Sequence, residues 1–170
     1  MLIFVENITN RLNYTFDFIF KERDLTYHLT SDKQSFINST LPKFNYSRVS
    51  FDKEINSLIP SSILFREGIY NFSINKSLFY KEECLTINDK TDPFASIFYI
   101  LTRYEEYNST LIDQHGRHQG KHSVLYRFNW HHKTMCDHWA EDILVFFKEN
   151  CGFKYDKKIH HPQIIPMFDI

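Results

Sequence analysis

The chain has 170 residues, of which 42% are hydrophobic and 24% charged, which is typical of a soluble globular protein with one substantial core and too little length for two full-sized domains. Its formal net charge is −1, with 20 Lys and Arg residues interleaved among 21 Asp and Glu residues, so the composition does not indicate a surface for nucleic acid or anionic membranes. The first residues lack a secretory signal pattern and no stretch has the length of a membrane span, so we predict a cytoplasmic protein.

The N-terminal third predicts an α/β arrangement. Residues 2–5 form an apolar run typical of a short buried strand, and residues 24–30 alternate as a half-buried strand does. Between them a helix is predicted from Asn7 or Thr9 to about Arg23, and a strand, a helix and a strand of these lengths indicate a parallel pair joined by a right-handed crossover. We therefore predict a single α/β domain with a mixed sheet and helices packed on it. The buried face of the helix consists of Leu12, Phe16, Ile19 and Phe20.

Weaker patterns follow between residues 31 and 90. A short helix is predicted over 31–40 and a short strand over 43–46. Strand fragments are predicted at 63–65 and 69–74, on either side of a turn at Gly68, and a further strand pair at 78–87 with a turn at 81–83.

The clearest helix covers residues 91–107, which read TDPFASIFYILTRYEEY. Thr91 or Asp92 can cap its first turn, and Pro93 suits the first helical position because its missing N–H would have no partner there. Apolar residues then recur at steps of three and four, which predicts one buried stripe. The stripe consists of Phe94, Ile97, Phe98, Leu101 and Tyr104.

The end of this helix and the loop over residues 108–123 hold the densest group of polar side chains. Arg103 and Glu106 lie three residues apart and can pair on the helix surface, or a partly buried Arg103 can tie the helix to the loop through Asp113. Histidines at steps of three and four in the loop can bind zinc, but two glycines argue against a continuous helix there. A salt-bridged loop, a ligand or partner site and a zinc site all stay open. The candidate site consists of Arg103, Glu106, Asp113, His115 and Arg117, with His118 and His122 nearby.

The remaining third predicts a strand at 124–130 and a helix at 134–150, which Gly152 ends. The inward face of that helix consists of Trp139, Ile143, Phe146 and Phe147. A second histidine group, His131, His132 and His138, lies near its start.

Neither the cysteines nor any recognisable motif indicates a cofactor. Cys84, Cys136 and Cys151 are widely separated and favour buried, reduced thiols over disulfides or zinc. The chain has no nucleophile elbow, P-loop, GxGxxG or HExxH pattern. Residue chemistry alone therefore supports an α/β domain without a resident cofactor.

Several segments resemble the N-terminal region of bacterial polysaccharide deacetylase-like proteins of a type common among Bacteroidetes. They are DPFASIFYILTRYEEY, DQHGR, KHS, the helix around Trp139 and the closing IPMFDI, and together they span most of the chain. The first is the most specific, although Thr102 stands where a serine is usual. In those proteins a domain of unknown function leads directly into a deacetylase domain of the carbohydrate esterase family four type.

The resemblance implies that the deacetylase domain is a distorted (β/α) barrel that removes acetyl groups from N-acetylated sugars with a divalent, zinc-type metal. Its first strand ends in an Asp-x-Asp or Asp-Asp motif, whose first Asp acts as base and whose second binds the metal together with two histidines. Asp169 matches the first Asp, and Met167 stands where a threonine is usual. We therefore expect residues 1–163 to form a non-catalytic accessory domain and residues 164–170 to begin a truncated deacetylase domain.

Three functions stay open at this point. An accessory module would present an apolar patch to the deacetylase domain of the same polypeptide. A carbohydrate-binding module would expose aromatic rings along a cleft that holds a glycan. An independent enzyme would bring Arg103, Glu106, Asp113 and His115 together in a pocket. The candidate aromatic rings are those of Tyr104, Tyr107, Tyr126 and Trp130.

Overall fold

The computed structural model describes residues 1–52 and 54–157 of the chain, and within them it shows two small sheets and five α-helices. The strands are β1 (Leu2–Phe4), β2 (His28–Thr30), β3 (Lys43–Asn45), β4 (Ile74–Leu78), β5 (Glu83–Ile87) and β6 (Lys90–Thr91). The helices are α1 (Asn10–Phe20), α2 (Lys33–Asn38), α3 (Pro93–Leu101), α4 (Val124–Arg127) and α5 (Met135–Cys151). The strand predicted at 164–170, with Asp169, lies outside the described residues.

The first sheet confirms the strand, helix and strand arrangement predicted at the N-terminus. Its order is β2-β1-β3 and both pairs are parallel, with Leu2 opposite His28 on one side and Lys43 on the other. β2 is shorter than predicted: the alternating sequence pattern begins at residue 24, but hydrogen bonding to β1 begins only at His28. The predicted short helix and strand that follow are confirmed as α2 and β3.

Helix α1 packs its predicted face into the core. The side chain of Thr9 accepts a hydrogen bond from the backbone N–H of Leu12 (3.1 Å) and so caps the first turn. Phe16 is completely buried, and its ring stacks on that of Phe94 in α3 with centroids 5.0 Å apart. The contact joins the N-terminal sheet and helix to the centre of the domain.

The second sheet is antiparallel, in the order β4-β5-β6, and corrects two predicted strand fragments. Residues 62–64 form a single 3₁₀ turn, and no strand begins between residues 69 and 73. The backbone carbonyls of this turn accept hydrogen bonds from side chains at the start of α1. Thr9 Oγ1 donates to the carbonyl of Leu64 (2.6 Å) and the Arg11 guanidinium donates to that of Ile63 (2.9 Å), so α1 uses groups that a strand ladder would need.

Helix α3 begins where it was predicted to begin and ends earlier. Asp92 caps it and Pro93 occupies its first position. The chain leaves the helix after Leu101 because Arg103 has a left-handed backbone conformation (φ 52°), and a 3₁₀ turn follows over Tyr104–Glu106. The turn places the ring of Tyr104 in the core, where its hydroxyl accepts a hydrogen bond from the backbone N–H of Tyr70 (2.8 Å).

Asp92 also joins three segments of the core. Its carboxylate is completely buried and accepts hydrogen bonds from the N–H of Ala95 (3.0 Å), the N–H of Ser61 (2.8 Å) and the Tyr46 hydroxyl (2.7 Å). Burial raises the pKa of Asp92 and the hydrogen bonds oppose that rise. One side chain therefore connects the end of β3, the segment before residue 62 and the start of α3.

Helix α5 confirms the second long helix, whereas the strand predicted at 124–130 is wrong. Residues 124–127 form the short helix α4, because the Ser123 side chain accepts from the N–H of Tyr126 (3.2 Å) and starts a helical turn. Trp130 is buried and packs edge-on against Trp139 of α5. Gly152 ends α5 in a left-handed conformation (φ 69°), which only glycine adopts without strain.

The three cysteines are free thiols, as predicted. Cys84 and Cys136 are buried and Cys151 is half-buried. Burial raises the pKa of Cys136 to about 12 and that of Cys151 to about 11, which keeps both thiols protonated at neutral pH. Among the described residues, no helix has the length and apolar character needed to span a membrane.

Asp92→Ala is expected to lower the free energy of unfolding by about 3–5 kcal/mol, because it leaves three buried donors without an acceptor. Tyr46→Phe removes only one of these donors and should cost about 1–2 kcal/mol. Urea unfolding followed by circular dichroism measures both changes. Equal losses in the two variants would show that Asp92 does not hold the three segments together.

Candidate functional site

Four of the five polar residues predicted as a site form two separate ion pairs, and the fifth, His115, takes part in neither. Arg103 Nε lies 2.6 Å from Glu106 Oε1, and Arg117 Nη2 lies 2.8 Å from Asp113 Oδ2. The side chain of Arg103 is 73% exposed, so it does not tie the helix to the loop through Asp113. Exposed pairs of this kind contribute at most about 1 kcal/mol to stability.

Asp113 organises the loop that follows. Its Oδ1 accepts from the N–H groups of His115 (2.8 Å) and Arg117 (3.0 Å), and Gly116 supplies a left-handed backbone position (φ 76°) between them. Hydrogen bonds from Arg117 lower the pKa of the Asp113 carboxyl. The loop is therefore a turn built around one carboxylate, with the His115 side chain exposed.

Glu105 and His118, which the candidate set omits, point further inward than the predicted residues. The half-buried carboxylate of Glu105 accepts from the backbone N–H of Val124 (2.8 Å), and burial raises its pKa. His118 Nδ1 shares a hydrogen bond with Ser109 Oγ (2.9 Å), and its Nε2 is buried with no partner among the described residues. The Glu105 bond fastens the end of the loop over 108–123 to the turn that follows α3, and the bond between His118 and Ser109 holds two parts of the loop together.

The histidines do not form a metal centre in the part of the chain that the structure describes, where no group of three or more His, Cys, Asp and Glu side chains is placed to hold a metal ion. His131 stacks on the ring of Tyr126 with centroids 4.9 Å apart, and the ring of His132 meets His131 edge-on at 5.5 Å. His138 faces Glu82, with 3.9 Å between Nδ1 and Oε1. The second histidine group is thus divided between an exposed stack and a separate cleft.

Of the four aromatic residues considered for glycan binding, two are available at the surface. Trp130 and Tyr104 are buried in the core. Tyr107 and Tyr126 are exposed, and Tyr126 retains 53% of its accessible surface. Of these candidates, Tyr126 has an exposed ring that also stacks on a neighbouring ring, that of His131.

A cleft of about 500 Å³ lies along the N-terminal half of α5, and we refer to it as the α5 cleft. Its walls come from the 3₁₀ turn after α1 (Lys21–Arg23), the turn between β4 and β5, α5 itself and the segment after α5. The lining residues are Arg23, Lys81, Glu82, Thr134, Asp137, His138, Glu141, Asp142, Val145, Tyr155, Asp156 and Lys157.

The wall between α5 and the β4–β5 turn depends on Asp142. This residue is only 5% exposed, and its carboxylate accepts from the backbone N–H groups of Lys81 (3.0 Å) and Glu82 (3.2 Å). Burial raises the pKa of Asp142, while the N–H donors oppose the rise. The turn is thereby held against α5 with the Glu82 side chain in the cleft.

The opposite wall is held by contacts between distant parts of the chain. Arg23 Nη2 lies 3.0 Å from Asp137 Oδ1, which joins the 3₁₀ turn after α1 to α5. The Tyr155 hydroxyl donates to Glu141 Oε2 (2.6 Å), and Lys157 Nζ lies 3.7 Å from Glu141 Oε1. The segment after α5 therefore returns along the helix and closes one side of the cleft.

The chain matches a family model over most of its length. A family model described as a family of unknown function, DUF7033, matches residues 1–151. No curated protein and no solved structure matches the chain. The matched range ends before Phe153 and Tyr155, which are both buried in the core, and the N–H of Phe153 donates to the carbonyl of Phe147 (3.1 Å). The packed unit therefore extends to at least Tyr155.

Two neighbouring glutamates offer a matched test of the loop contacts. Glu105→Ala should lower the free energy of unfolding by about 1–2 kcal/mol, because the N–H of Val124 loses its acceptor. Glu106→Ala removes only an exposed ion pair and should cost about 0.5 kcal/mol or less. Urea unfolding gives both values, and hydrogen exchange of the Val124 amide should accelerate in the first variant alone. Similar losses would contradict the assignment of Glu105 as the loop anchor.

Shortening the chain tests whether residues 152–157 belong to the domain. A chain that ends at Cys151 exposes the surface that Phe153 and Tyr155 cover, so its free energy of unfolding should fall by roughly 3–6 kcal/mol relative to a chain that ends at Lys157. Thermal and urea unfolding of the two chains measure the difference. Equal stability would place the end of the domain at the end of the family match.

Proposed function

The chain belongs to the DUF7033 family of unknown function, and we propose that it acts as the non-catalytic accessory domain that precedes a polysaccharide deacetylase domain in a longer bacterial protein. The observation that carries the proposal is the resemblance of DPFASIFYILTRYEEY and IPMFDI to such proteins. In the structure the first of these segments supplies the capped helix α3 and the turn that buries Tyr104. We expect the supported reaction to be removal of acetyl groups from N-acetylated glycans.

The position of the segment over residues 153–157 supports a deacetylase domain that is held close to this domain. Phe153 and Tyr155 anchor this segment in the core, so the chain leaves the domain beside the α5 cleft. Residues 158–163 separate Lys157 from the expected start of the deacetylase domain, and the chain from Lys157 to Ile164 can span at most about 25 Å when fully extended. A domain that begins at Ile164 is therefore tethered within that distance of this side of the molecule.

The local pairing of charges supports an accessory rather than a catalytic role for the predicted polar set. Arg103 with Glu106 and Arg117 with Asp113 make short ion pairs that satisfy one another and stabilise turns. By the resemblance, the catalytic base is Asp169, which lies outside the described residues. The divalent metal would be held by the second Asp and two histidines of the deacetylase domain and would supply an activated water there.

A carbohydrate-binding module is the second candidate function. The stacked rings of Tyr126 and His131 offer one exposed aromatic face, and the α5 cleft offers polar groups of both signs. Such a module would hold glycan near the deacetylase domain and raise the local concentration of the glycan.

Localisation in the cytoplasm stays a prediction from the N-terminal sequence.

The proposal is tested by expressing the natural reading frame beyond Ile170 beside the 170-residue chain and measuring release of acetate from N-acetylated glycans, with and without a metal chelator. We expect activity only in the longer protein, loss of that activity with the chelator, and a fall of about 10²–10⁴-fold in Asp169→Asn because the base is removed.

Two results would contradict the accessory role. One is acetate release by the 170-residue chain, which would direct attention to Arg103, Glu106, Asp113 and His115. The other is a natural reading frame without a deacetylase domain after Ile170.

A further inference from the structure

The α5 cleft has the size and construction of a ligand site. Its volume of about 500 Å³ lies within the range of roughly 300–1,000 Å³ that small-molecule sites occupy. Its polar groups are held in place by contacts that do not involve a ligand, such as those of Asp142 with the β4–β5 turn and of Tyr155 with Glu141. Groups fixed in this way lose little freedom when a ligand binds.

The chemical character of the lining indicates a ligand with many hydroxyl groups. The cleft combines carboxylate acceptors, Lys and Arg donors, the Thr134 hydroxyl and the His138 ring, with apolar surface from Val145 and Tyr155. These donors and acceptors come from four separate parts of the chain and surround the cleft. A sugar ring presents hydroxyl groups that both donate and accept, together with an apolar face, so it can satisfy this mixture.

The charge of the cleft favours a cation. Five carboxylates face three Lys and Arg side chains, so the lining carries two more negative than positive charges, or one more if His138 is charged. Arg23 and Lys157 each pair with a cleft carboxylate, and Lys81 pairs with Glu149 outside the cleft.

Two carboxylates of the cleft lack a Lys or Arg ion pair among the described residues: those of Glu82 and Asp142. His138 Nδ1 lies 3.9 Å from Glu82 Oε1, and the carboxylate of Asp142 accepts backbone N–H groups. The negative charges of Glu82 and Asp142 repel each other, and a positively charged group of a ligand would reduce this repulsion.

We propose that the α5 cleft binds a glycan segment that carries free amino groups. Removal of an N-acetyl group converts a neutral amide into an amine that is protonated at mildly acidic pH, and that ammonium group supplies the cation that Glu82 and Asp142 lack. The cleft therefore prefers the product of deacetylation to its substrate. This inference rests on the proposed function and assigns to the accessory domain the retention of partly deacetylated chains.

The test is a titration of the full 170-residue chain with a glucosamine tetramer and with an N-acetylglucosamine tetramer at pH 6, followed by calorimetry and by amide chemical shifts. We expect the amino form to bind at least about tenfold more tightly than the acetylated form, with shifts at residues 81–82 and 137–142. Glu82→Gln should weaken binding of the amino form by about 3–10-fold. Its matched control is Glu67→Gln, which removes an exposed carboxylate outside the cleft and should leave binding unchanged.

Three outcomes would overturn the inference: no binding of the amino form, equal binding of both forms, or equal weakening by the two Glu→Gln variants. Circular dichroism of each variant separates a loss of binding from a loss of fold. The result is independent of the acetate assay. Deacetylase activity in the longer protein, without binding of the amino form at the α5 cleft, would leave the accessory role intact and overturn this inference. Binding at the α5 cleft in a protein without a deacetylase domain would support this inference and assign the domain to the carbohydrate-binding modules.

Discussion

The domain depends on one buried carboxylate. Asp92 caps α3, receives the hydroxyl of Tyr46 from the end of β3 and receives the N–H of Ser61 from the segment before the 3₁₀ turn. A fully buried charged group is tolerated only when its hydrogen-bonding capacity is met, and here three donors from three segments meet it. The start of α3 is thereby fixed against the end of β3 and the segment before the 3₁₀ turn.

Local signals were sufficient to predict the parts of the fold that local chemistry controls. Asp92 and Pro93 at the start of α3, Thr9 at the start of α1 and Gly152 after α5 all act within one turn of the helix they bound. The buried face of α1 also followed from spacing alone, as did the burial of Trp139, Ile143 and Phe147 in α5, because helical periodicity is a property of neighbouring residues. Phe146, predicted on the same face of α5, is half-buried. The parallel pairing of β1 with β2 followed from the length of the connection.

Tertiary contacts decided the features that the sequence did not predict. The sequence around Ile63 is typical of a strand. Side chains at the start of α1 donate hydrogen bonds to the backbone carbonyls of this segment, and the segment folds as a 3₁₀ turn. The backbone changes direction at Arg103, and this change places the ring of Tyr104 in the core. It also directs the carboxylate of Glu105 inward, rather than that of Glu106. The α5 cleft joins residues more than a hundred positions apart, such as Arg23 and Asp137, so no spacing in the sequence could indicate it.

The segment after α5 is part of the cleft wall and also the end of the described chain. Tyr155 and Lys157 line the cleft, and Lys157 is the last described residue. A ligand that held these side chains in one placement would restrain the end of the segment, and a force on that end would change the shape of the cleft. By thermodynamic reciprocity the two influences would be equal in free energy. Tyr155 and Lys157 thus form a mechanical connection between the α5 cleft and the C-terminal end of the domain.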